Sequence, residues 1–468
     1  MAINKGLEPQ QSAVRLPDEV GTVDRPTGAT AGGSDAHAPT SQVSLVEAGS
    51  AGLAEQAGQR DHIKQSNQTG QSDDIGEAVE QAYLLPRSLD ELRVKRSGFF
   101  KLDEGDSPFG SGWADYAHSL LTSWQAHEAL LERETFSGSE KSEAGVKDSR
   151  LSRLFIDLKQ RNAIVTTSFH PIFRERSEQP VLVAASDVIR LQGKQTFGAE
   201  ALLADELLVW VREKGEAAPA VAALLPVSLP GLRLKGVGGT GGVPALVEIT
   251  YDDAVIPSER LLIDGDADYA SRVLAHPLAR SLADYQRVSR QLWEAELLAG
   301  TAFALAEQTG WSTDLHIQGE LGKLIQGIET LKALLHASEL GAAASPSGAL
   351  LPALLPLQAA RKAGGDVYAE GVQVLQRIGA DAFLNDPSAS EPLAPGAKPT
   401  LLQLAWRLAG SAEAIQAALR EQHAFGGTQA RSLELYRHYP ERRLRSRYEA
   451  FWAAIRLLEQ DHFEEVRQ

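Results

Sequence analysis

The chain has 468 residues, of which 43% are hydrophobic and 23% are charged, and its formal net charge is -16. This acidity argues against a nucleic-acid-binding protein, because such proteins need a basic face to displace counterions from phosphates. The absence of cysteine excludes disulfides, cysteine nucleophiles, iron–sulfur clusters and thiolate zinc sites. The length is sufficient for two or three domains with a large apolar core.

The first 85 residues are expected to form a mostly disordered leader. Residues 1–82 contain no Phe, Tyr or Trp, and a segment without large apolar side chains cannot offset the entropy that it loses on ordering. The N-terminus lacks the basic head and apolar run of a secretory signal. No stretch approaches the roughly 20 apolar residues that cross a bilayer, so we expect no membrane contact and cytoplasmic residence.

Residues 86–150 are predicted to form an N-terminal helical part. Ser88 and Glu91 have the spacing of a capping box in front of an apolar run. We predict one helix over about 88–102 and another over about 114–135.

Residues 151–268 are predicted to form a middle antiparallel β domain, because short apolar runs alternate there with Gly, Pro, Asp or Lys. These runs are 181–183, 188–191, 207–211, 221–225 and 247–251. The glycines of 236–241 formally match the G-x-G-x-x-G dinucleotide fingerprint. A strand pattern follows them, so no helix N-terminus is available to receive a pyrophosphate. We interpret this stretch as a hairpin loop.

Residues 269–468 are predicted to form a C-terminal helical bundle. Apolar residues recur at steps of three and four from Val288 to Ala306 and again from Ile317 to Leu335. This period predicts two long amphipathic helices that are joined by a short turn. Arg290 and Glu294 fall on the opposite side of the first helix, and the pattern predicts that this side is its polar face.

No self-sufficient catalytic motif is present in the sequence. It contains no H-E-x-x-H, P-loop or G-x-S-x-G motif, and no group of His and carboxylate residues has metal-ligand spacing. We therefore predict no metal site. Catalysis by this chain would need a cofactor that supplies the reactive atom.

Three segments resemble the large component of 4-hydroxyphenylacetate 3-hydroxylases, which are two-component flavin-dependent monooxygenases. The segments are Asp253–Leu262, His276–Leu278 and His316–Gly322. The resemblance implies an acyl-CoA-dehydrogenase-like fold of the α+β class, mainly α. Its parts are an N-terminal helical part, a middle antiparallel β domain and a C-terminal helical bundle.

The same resemblance implies an activity and its partners. Members of this family bind reduced FAD (FADH2), which a separate flavin reductase supplies, and use O2 to hydroxylate a phenolic or related small aromatic substrate. The flavin lies between the sheet domain and the helical bundle. The family assembles as homodimers or homotetramers, so we expect one of these assemblies.

Two residues fall at catalytic positions of the family. Tyr116 matches a Tyr that contacts the substrate, whereas the Arg four residues before it is replaced by Gly112. Asn162 stands where the family has a His, and Asn cannot accept a proton near neutral pH.

Eleven residues match flavin-contacting positions of the family. Ala199 aligns with a Thr of the family, and Thr196 would take the place of that Thr if the alignment of this strand were shifted. The arginines among them suit a pyrophosphate, because a guanidinium presents a fork of donors. The set is Asn162, Ala163, Ile164, Ile172, Arg174, Thr196, Ala199, Pro440, Glu441, Arg442 and Arg443.

Each of these matches also has a structural interpretation. A buried Tyr such as Tyr116 is more often part of a core than catalytic. Asn162 is a common turn residue. The basic run from Arg442 to Arg447 is typical of a solvated helix face.

Two other functions stay open on the sequence. A non-catalytic interaction protein that kept the fold and lost the flavin is favoured by the departures from the family pattern. These departures are Gly112, Asn162, Phe173, Ala199 and Thr428. An acyl-CoA-dehydrogenase-type oxidation would need a carboxylate base that faces the flavin, and the sequence does not place Glu329 or Glu339 there.

Overall fold

The structure is a computed structural model whose described residues begin at position 76. They are 76–99, 113–131, 150–168, 181–185, 188–213, 219–237, 246–263, 267–387, 399–421, 428–440 and 442–465.

Helical residues 76–82 lie inside the segment that the sequence assigned to a leader. Ala78 and Val79 are buried there. Tyr83 meets Phe155 edge-on with ring centroids 5.5 Å apart, and its hydroxyl donates to the Ala163 carbonyl at 2.7 Å. Small apolar side chains and one aromatic residue therefore suffice to pack this stretch. The segment predicted to be a mostly disordered leader therefore contains packed helical residues before its predicted end at residue 85.

Three further helices form the N-terminal part, and the first two end earlier than predicted. They are α1 (Leu89–Gly98), α2 (Trp113–Ala126) and α3 (Arg150–Gln160). Ser88 caps α1, because its hydroxyl accepts the Glu91 N–H at 3.1 Å. The Glu91 carboxylate accepts the Arg87 N–H at 2.6 Å, so only the serine half of the predicted capping box forms.

The middle region is a mixed sheet. Its strands are β1 (Val165–Thr167), β2 (Val181–Ala185), β3 (Val188–Gly198), β4 (Glu206–Glu213), β5 (Pro219–Pro226), β6 (Leu232–Val237), β7 (Leu246–Ile256) and β8 (Leu261–Ile263). The order is β6-β7-β3-β2-β4-β5-β8, and β1 pairs with β4. Most neighbours are antiparallel, as predicted. The β1·β4 and β2·β4 pairs are parallel, which the sequence did not indicate. Pairing of Val237 with Leu246 makes β6 and β7 a hairpin and not a dinucleotide fold.

Hydrogen bonds fix the end of β1 against β3. The Ser168 hydroxyl donates to the Thr196 carbonyl at 2.5 Å, and the Gln195 amide donates to the Ser168 carbonyl at 2.9 Å. Tyr251 on β7 donates its hydroxyl to Gln195 at 3.1 Å. These bonds hold the residue that follows β1 over the middle of the sheet.

Helices dominate the C-terminal part. They are α4 (Ala267–Ala275), α5 (Ser281–Thr309), α6 (Leu315–Leu340), α7 (Leu354–Gly379), α8 (Leu401–Ala409), α9 (Ala412–Leu419), α10 (Thr428–His438) and α11 (Arg442–Glu465). Helix α5 ends at Gly310, whose φ of 79° is in the left-handed region that favours glycine. Asp314 caps α6 by accepting the N–H groups of His316 and Ile317.

The predicted apolar stripe of α6 is buried over its whole length, from Ile317 to Leu335. The polar face predicted for α5 is partly wrong, because Arg290 is 2% exposed and Glu294 is 0% exposed. Other helices cover both sides of α5 at its N-terminal half, so its charged residues face protein instead of water. In the part of the chain that the structure describes, no helix is long and apolar enough to cross a membrane.

Candidate active site beside Tyr116

Tyr116 lies on the buried face of α2. It is 3% exposed and belongs to an apolar cluster that includes Leu120 and Val165. The Leu282 N–H donates to Ser123 Oγ at 2.9 Å, which ties α2 to the start of α5. Burial and, to a smaller extent, Asp284 raise the pKa of Tyr116 to about 12, although Arg280, Arg361 and Arg287 oppose the shift. Tyr116 therefore stays a protonated donor beside a group of charged residues.

That group, which we call the arginine cluster, is built from α5, α7, the end of α9 and α10. Its members are Arg280, Asp284, Arg287, Arg290, Glu294, Arg361, Arg420, Glu421, Arg431 and Glu434. Six arginines face four carboxylates, so the cluster has an excess of positive charge. Seven of the ten residues are buried.

Two carboxylates next to Tyr116 join the helices. Arg361 on α7 contacts Asp284 on α5 at 3.2 Å and Glu434 on α10 at 3.2 Å. Arg280 also pairs with Glu434. Burial raises the pKa of Asp284 although Arg361 and Arg280 oppose it, whereas these arginines outweigh burial and lower the pKa of Glu434.

The deeper half of the cluster is organised by Glu294. Its Oε1 accepts from Arg290 Nε at 2.9 Å and from Arg420 Nη2 at 3.1 Å. Burial raises the pKa of Glu294, but these arginines outweigh it and the pKa falls below its ordinary value. Arg287 pairs with Glu421, and burial holds the pKa of Arg287 well below its usual range. The charged form of Arg287 is therefore costly at this buried position.

Several buried polar atoms around the cluster have no hydrogen-bond partner among the described residues. They include the donors Arg280 Nε, Ser281 Oγ, Gln286 Nε2 and Gln358 Nε2 and the acceptors Gln291 Oε1 and Glu294 Oε2. An unpaired buried donor costs about 1–3 kcal/mol. A ligand that carries anionic groups and hydrogen-bond acceptors would satisfy both these donors and the excess charge. The site therefore fits a polar, anionic ligand.

The structure does not bring Asn162 to Tyr116. Asn162 has a φ of 48°, which is the left-handed conformation that Asn tolerates better than most residues, and its side chain is exposed. It makes the turn between α3 and β1. The Asn162 geometry is that of a turn residue.

The backbone groups of the next two residues are used within the chain. The Ala163 carbonyl accepts from Tyr83 and lies 3.2 Å from His118 Nε2. The Ile164 N–H donates to Asp205 at 3.0 Å, and the Ile164 carbonyl accepts two backbone N–H groups. Ala163 is buried in the core, so of these two residues only the half-buried side chain of Ile164 is left for a flavin.

The other predicted flavin contacts divide into two groups. Thr196 and Ala199 are half-buried at the end of β3, close to Ser168. Pro440 and Arg442 are exposed at the start of α11. Ile172, Arg174, Glu441 and the Arg443 side chain lie outside the described residues.

The two glutamates considered as oxidation bases lie elsewhere. Glu329 is exposed and pairs with Lys332. Glu339 is buried, but Arg96 at 2.5 Å and the Tyr285 hydroxyl at 2.7 Å hold it on another side of α5. A cavity of about 530 Å³ lies on that side, away from Tyr116.

Residues 277–401 match the family model described as 4-hydroxyphenylacetate 3-hydroxylase C terminal. The probable 4-hydroxyphenylacetate 3-monooxygenase of Bacillus subtilis is 23% identical over 401 residues, which cover 77% of this chain and 81% of that protein. Over these residues the chain is similar to the 4-hydroxyphenylacetate 3-hydroxylase family. The matched region holds α5, α6 and α7, and with them most of the arginine cluster.

Another family member is the oxygenase component of 4-hydroxyphenylacetate 3-monooxygenase from Thermus thermophilus. It is 27% identical over 281 residues, which cover 53% of this chain and 58% of that protein. A crystal structure of the oxygenase component HpaB complexed with FAD superimposes with a TM-score of 0.63 at 21% identity, over 81% of this chain and 86% of that one. The predicted fold class is confirmed.

The sequence pointed to Tyr116 but missed the charged residues around it. Arg280, Asp284 and Arg361 carry no local motif, and Glu434 is 154 residues from its partner Arg280. The signal available in the sequence was the density of Arg, Gln and carboxylate residues over 280–294, which an exposed helix face explains equally well.

Proposed function

We propose that this chain is the oxygenase component of a two-component, FAD-dependent monooxygenase that hydroxylates a phenolic or related aromatic substrate. A separate flavin reductase supplies the FADH2, and O2 is the second substrate. One observation carries the proposal: a buried, protonated Tyr116 lies beside a net-positive, donor-rich cluster at the start of the region that matches the family. The proposal includes cytoplasmic residence and a homodimer or homotetramer.

Tyr116 would donate its hydroxyl proton to the oxygen of the substrate phenol and so fix the orientation of the ring. Gly112 removes the cation that the family pattern places nearby, and Arg280 and Arg361 lie where they can supply positive charge instead. We therefore propose an aromatic substrate with an acidic group.

The protein would bind and position the flavin, and the bound reduced flavin would supply the oxygen chemistry. The half-buried Thr196 and the end of β1 offer polar contacts at the sheet. The half-buried Ile164 and Ala199 offer apolar contacts. The arginines and unpartnered donors of the arginine cluster suit the anionic and acceptor groups that a reduced flavin carries.

An anaerobic titration of the purified protein with FADH2, followed by mixing with O2 and a panel of phenols, tests the proposal. We expect saturable binding of FADH2, slower reoxidation than in free solution, and a hydroxylated product. Tyr116→Phe is expected to lower product formation by roughly tenfold to a hundredfold with little change in FADH2 affinity. Tyr285→Phe, in a buried tyrosine whose hydroxyl contacts Glu339, is the matched control.

The result that overturns the proposal is clear in the same experiment. If FADH2 does not bind, or is oxidised at its free rate with every phenol, the chain is not a monooxygenase component. Equal loss of product in Tyr116→Phe and Tyr285→Phe would remove the role of Tyr116 alone.

The second candidate is a non-catalytic helical-bundle protein that kept the fold. The exposed turn position of Asn162 favours it, because no base stands at the place of the family His. Carboxylates already contact the arginines of the cluster, which is also what a purely structural network requires. A folded protein that binds neither FADH2 nor any phenol would support this candidate.

A further inference from the structure

A second cavity lies among α1, α5 and α6, on the side of α5 away from Tyr116. Its volume of about 530 Å³ is in the range of sites that bind small organic molecules. Arg93 and Arg96 are one turn apart on α1, and Leu335 and Glu339 are one turn apart on α6, so each pair faces the cavity together. The lining residues on which the argument rests are Arg93, Arg96, Leu292, Trp293, Leu335 and Glu339.

Glu339 is the buried carboxylate of this cavity, and it holds both arginines. Its side chain is 2% exposed, and it accepts from Arg93 Nε at 3.2 Å, from Arg96 Nη1 and from the Tyr285 hydroxyl at 2.7 Å. Within the described ranges, neither arginine forms a hydrogen bond or ion pair with any other residue. A guanidinium has five N–H groups, and these two side chains are 40% and 36% exposed. Donors are therefore left for a ligand on two side chains that Glu339 already fixes in place.

The charge of the cavity favours a ligand with one negative charge. The two arginines share the single charge of Glu339, which leaves one positive charge unbalanced. Lys332 adds none, because Glu296 and Glu329 pair with it at the exposed rim. With His336 of the lining neutral, a monocarboxylate would give each guanidinium a carboxylate, whereas a phosphate ester would bring one charge too many.

The surface beside the arginines is apolar and partly aromatic. Trp293 is an exposed residue of the lining, Leu292 is half-buried and Leu335 is buried. An aromatic ring that contacts an indole gains more than the burial of its area alone provides. These three side chains therefore suit a ring that is attached to the carboxylate.

We propose that this cavity binds a small aromatic monocarboxylate. Its carboxylate accepts from Arg93 and Arg96, and its ring packs against Leu292, Trp293 and Leu335. The site is distinct from the arginine cluster, since no residue of that cluster lines this cavity. The inference does not depend on the proposed catalytic activity, because it assigns binding and no chemistry to the cavity.

Calorimetric titration of the purified full-length chain with cinnamate tests the site. We expect saturable binding, and a loss of affinity of roughly tenfold to a hundredfold in Arg93→Met and in Arg96→Met, because each variant loses donors to a charged acceptor. Arg233→Met is the matched control, since Arg233 also pairs with one carboxylate, that of Asp252, but lies on β6. The control should keep its affinity. Absence of binding, or equal affinity in the control and both arginine variants, would overturn the proposal.

A variant of the aromatic residue keeps the test decisive if an arginine variant fails to fold. Trp293 is exposed, so Trp293→Leu should leave the helical bundle intact. We expect it to lower the affinity for cinnamate by roughly threefold to tenfold, because the contact between two aromatic rings is lost. An unchanged affinity in this variant would contradict the proposal.

Two analogues of cinnamate test the charge of the ligand. Cinnamamide has the shape of cinnamate without its charge, and we expect it to bind roughly tenfold more weakly. Cinnamyl phosphate carries about two negative charges and should bind no more tightly than cinnamate. An amide that binds as well as cinnamate, or a phosphate that binds more tightly, would show that the proposal is wrong. Affinity for FADH2 should be the same in all these variants, so a failure here leaves the proposed function intact.

Discussion

The buried residues in the two halves of α5 are chemically opposite. Residues 281–294 include the buried Asp284, Arg287, Arg290 and Glu294, whereas residues 295–306 bury Ala and Leu against α6 and α7. The apolar half stabilises the bundle through burial at about 25 cal/mol per Å². The charged half gains little from burial, since desolvation offsets much of the attraction between charges. Its position beside Tyr116 makes it the half to which we assign the proposed ligand binding.

The largest expected effect comes from removing one charge of a buried pair in the polar half. Glu421→Met leaves Arg287 buried without its carboxylate, and we expect a loss of about 3–5 kcal/mol of unfolding free energy. The double variant R287M/E421M is expected to be near neutral or more stable, because neither buried charge remains. Urea unfolding of the wild type, Glu421→Met, Arg287→Met and R287M/E421M measures the unfolding free energies of all four proteins. Additive losses would contradict this interpretation.

A similar loss is expected from a cavity in the apolar half. Leu298 is fully buried and contacts Gly371 on α7. Leu298→Ala should lower the unfolding free energy by about 2–5 kcal/mol. Leu315→Ala is the control, since Leu315 is 82% exposed and its truncation should cost less than about 0.5 kcal/mol. Equal midpoints of denaturation for the two variants would show that this half of α5 does not carry the stability.

A smaller effect is expected where α6 approaches α7. A Cβ at Gly327 would collide with the Val367 side chain, and Gly327→Ala should cost about 1–3 kcal/mol. Gly322, on the same helix, has nothing within 4 Å of an added Cβ. Gly322→Ala should therefore raise stability by roughly 0.5–1 kcal/mol through helix propensity. Thermal unfolding of both variants measures how the cost of the collision compares with the gain in helix propensity. If Gly327→Ala were stabilising like Gly322→Ala, the predicted collision would be refuted.

The smallest effect concerns a buried charge outside the arginine cluster. Lys95 is 1% exposed, and burial lowers its pKa to about 7, although Asp115 opposes the shift. Between pH 7 and pH 9 the unfolded chain holds a proton on Lys95 that the folded chain largely lacks. Stability should therefore rise with pH, at up to about 1.4 kcal/mol per pH unit. The slope should disappear in Lys95→Met, and an unchanged slope in this variant would assign it to other groups.

The sequence by itself determined the mainly helical fold class, the strands β2, β3, β4, β5 and β7, and the apolar stripes of α5 and α6. These features are local: the spacing of apolar residues fixes the period, and Gly310 and Asp314 fix where one helix ends and the next begins. Tyr116 was also found from the sequence, through its place in a motif.

Only the tertiary structure decided the environment of the charged residues. Arg290 and Glu294 have the spacing of an exposed ion pair, and they are buried because Arg420, 126 residues from Glu294, closes over them. The exposed place of Asn162 follows from the turn between α3 and β1. The fate of a charge depends on what packs against its helix, and the partners of this cluster come from four separate helical regions.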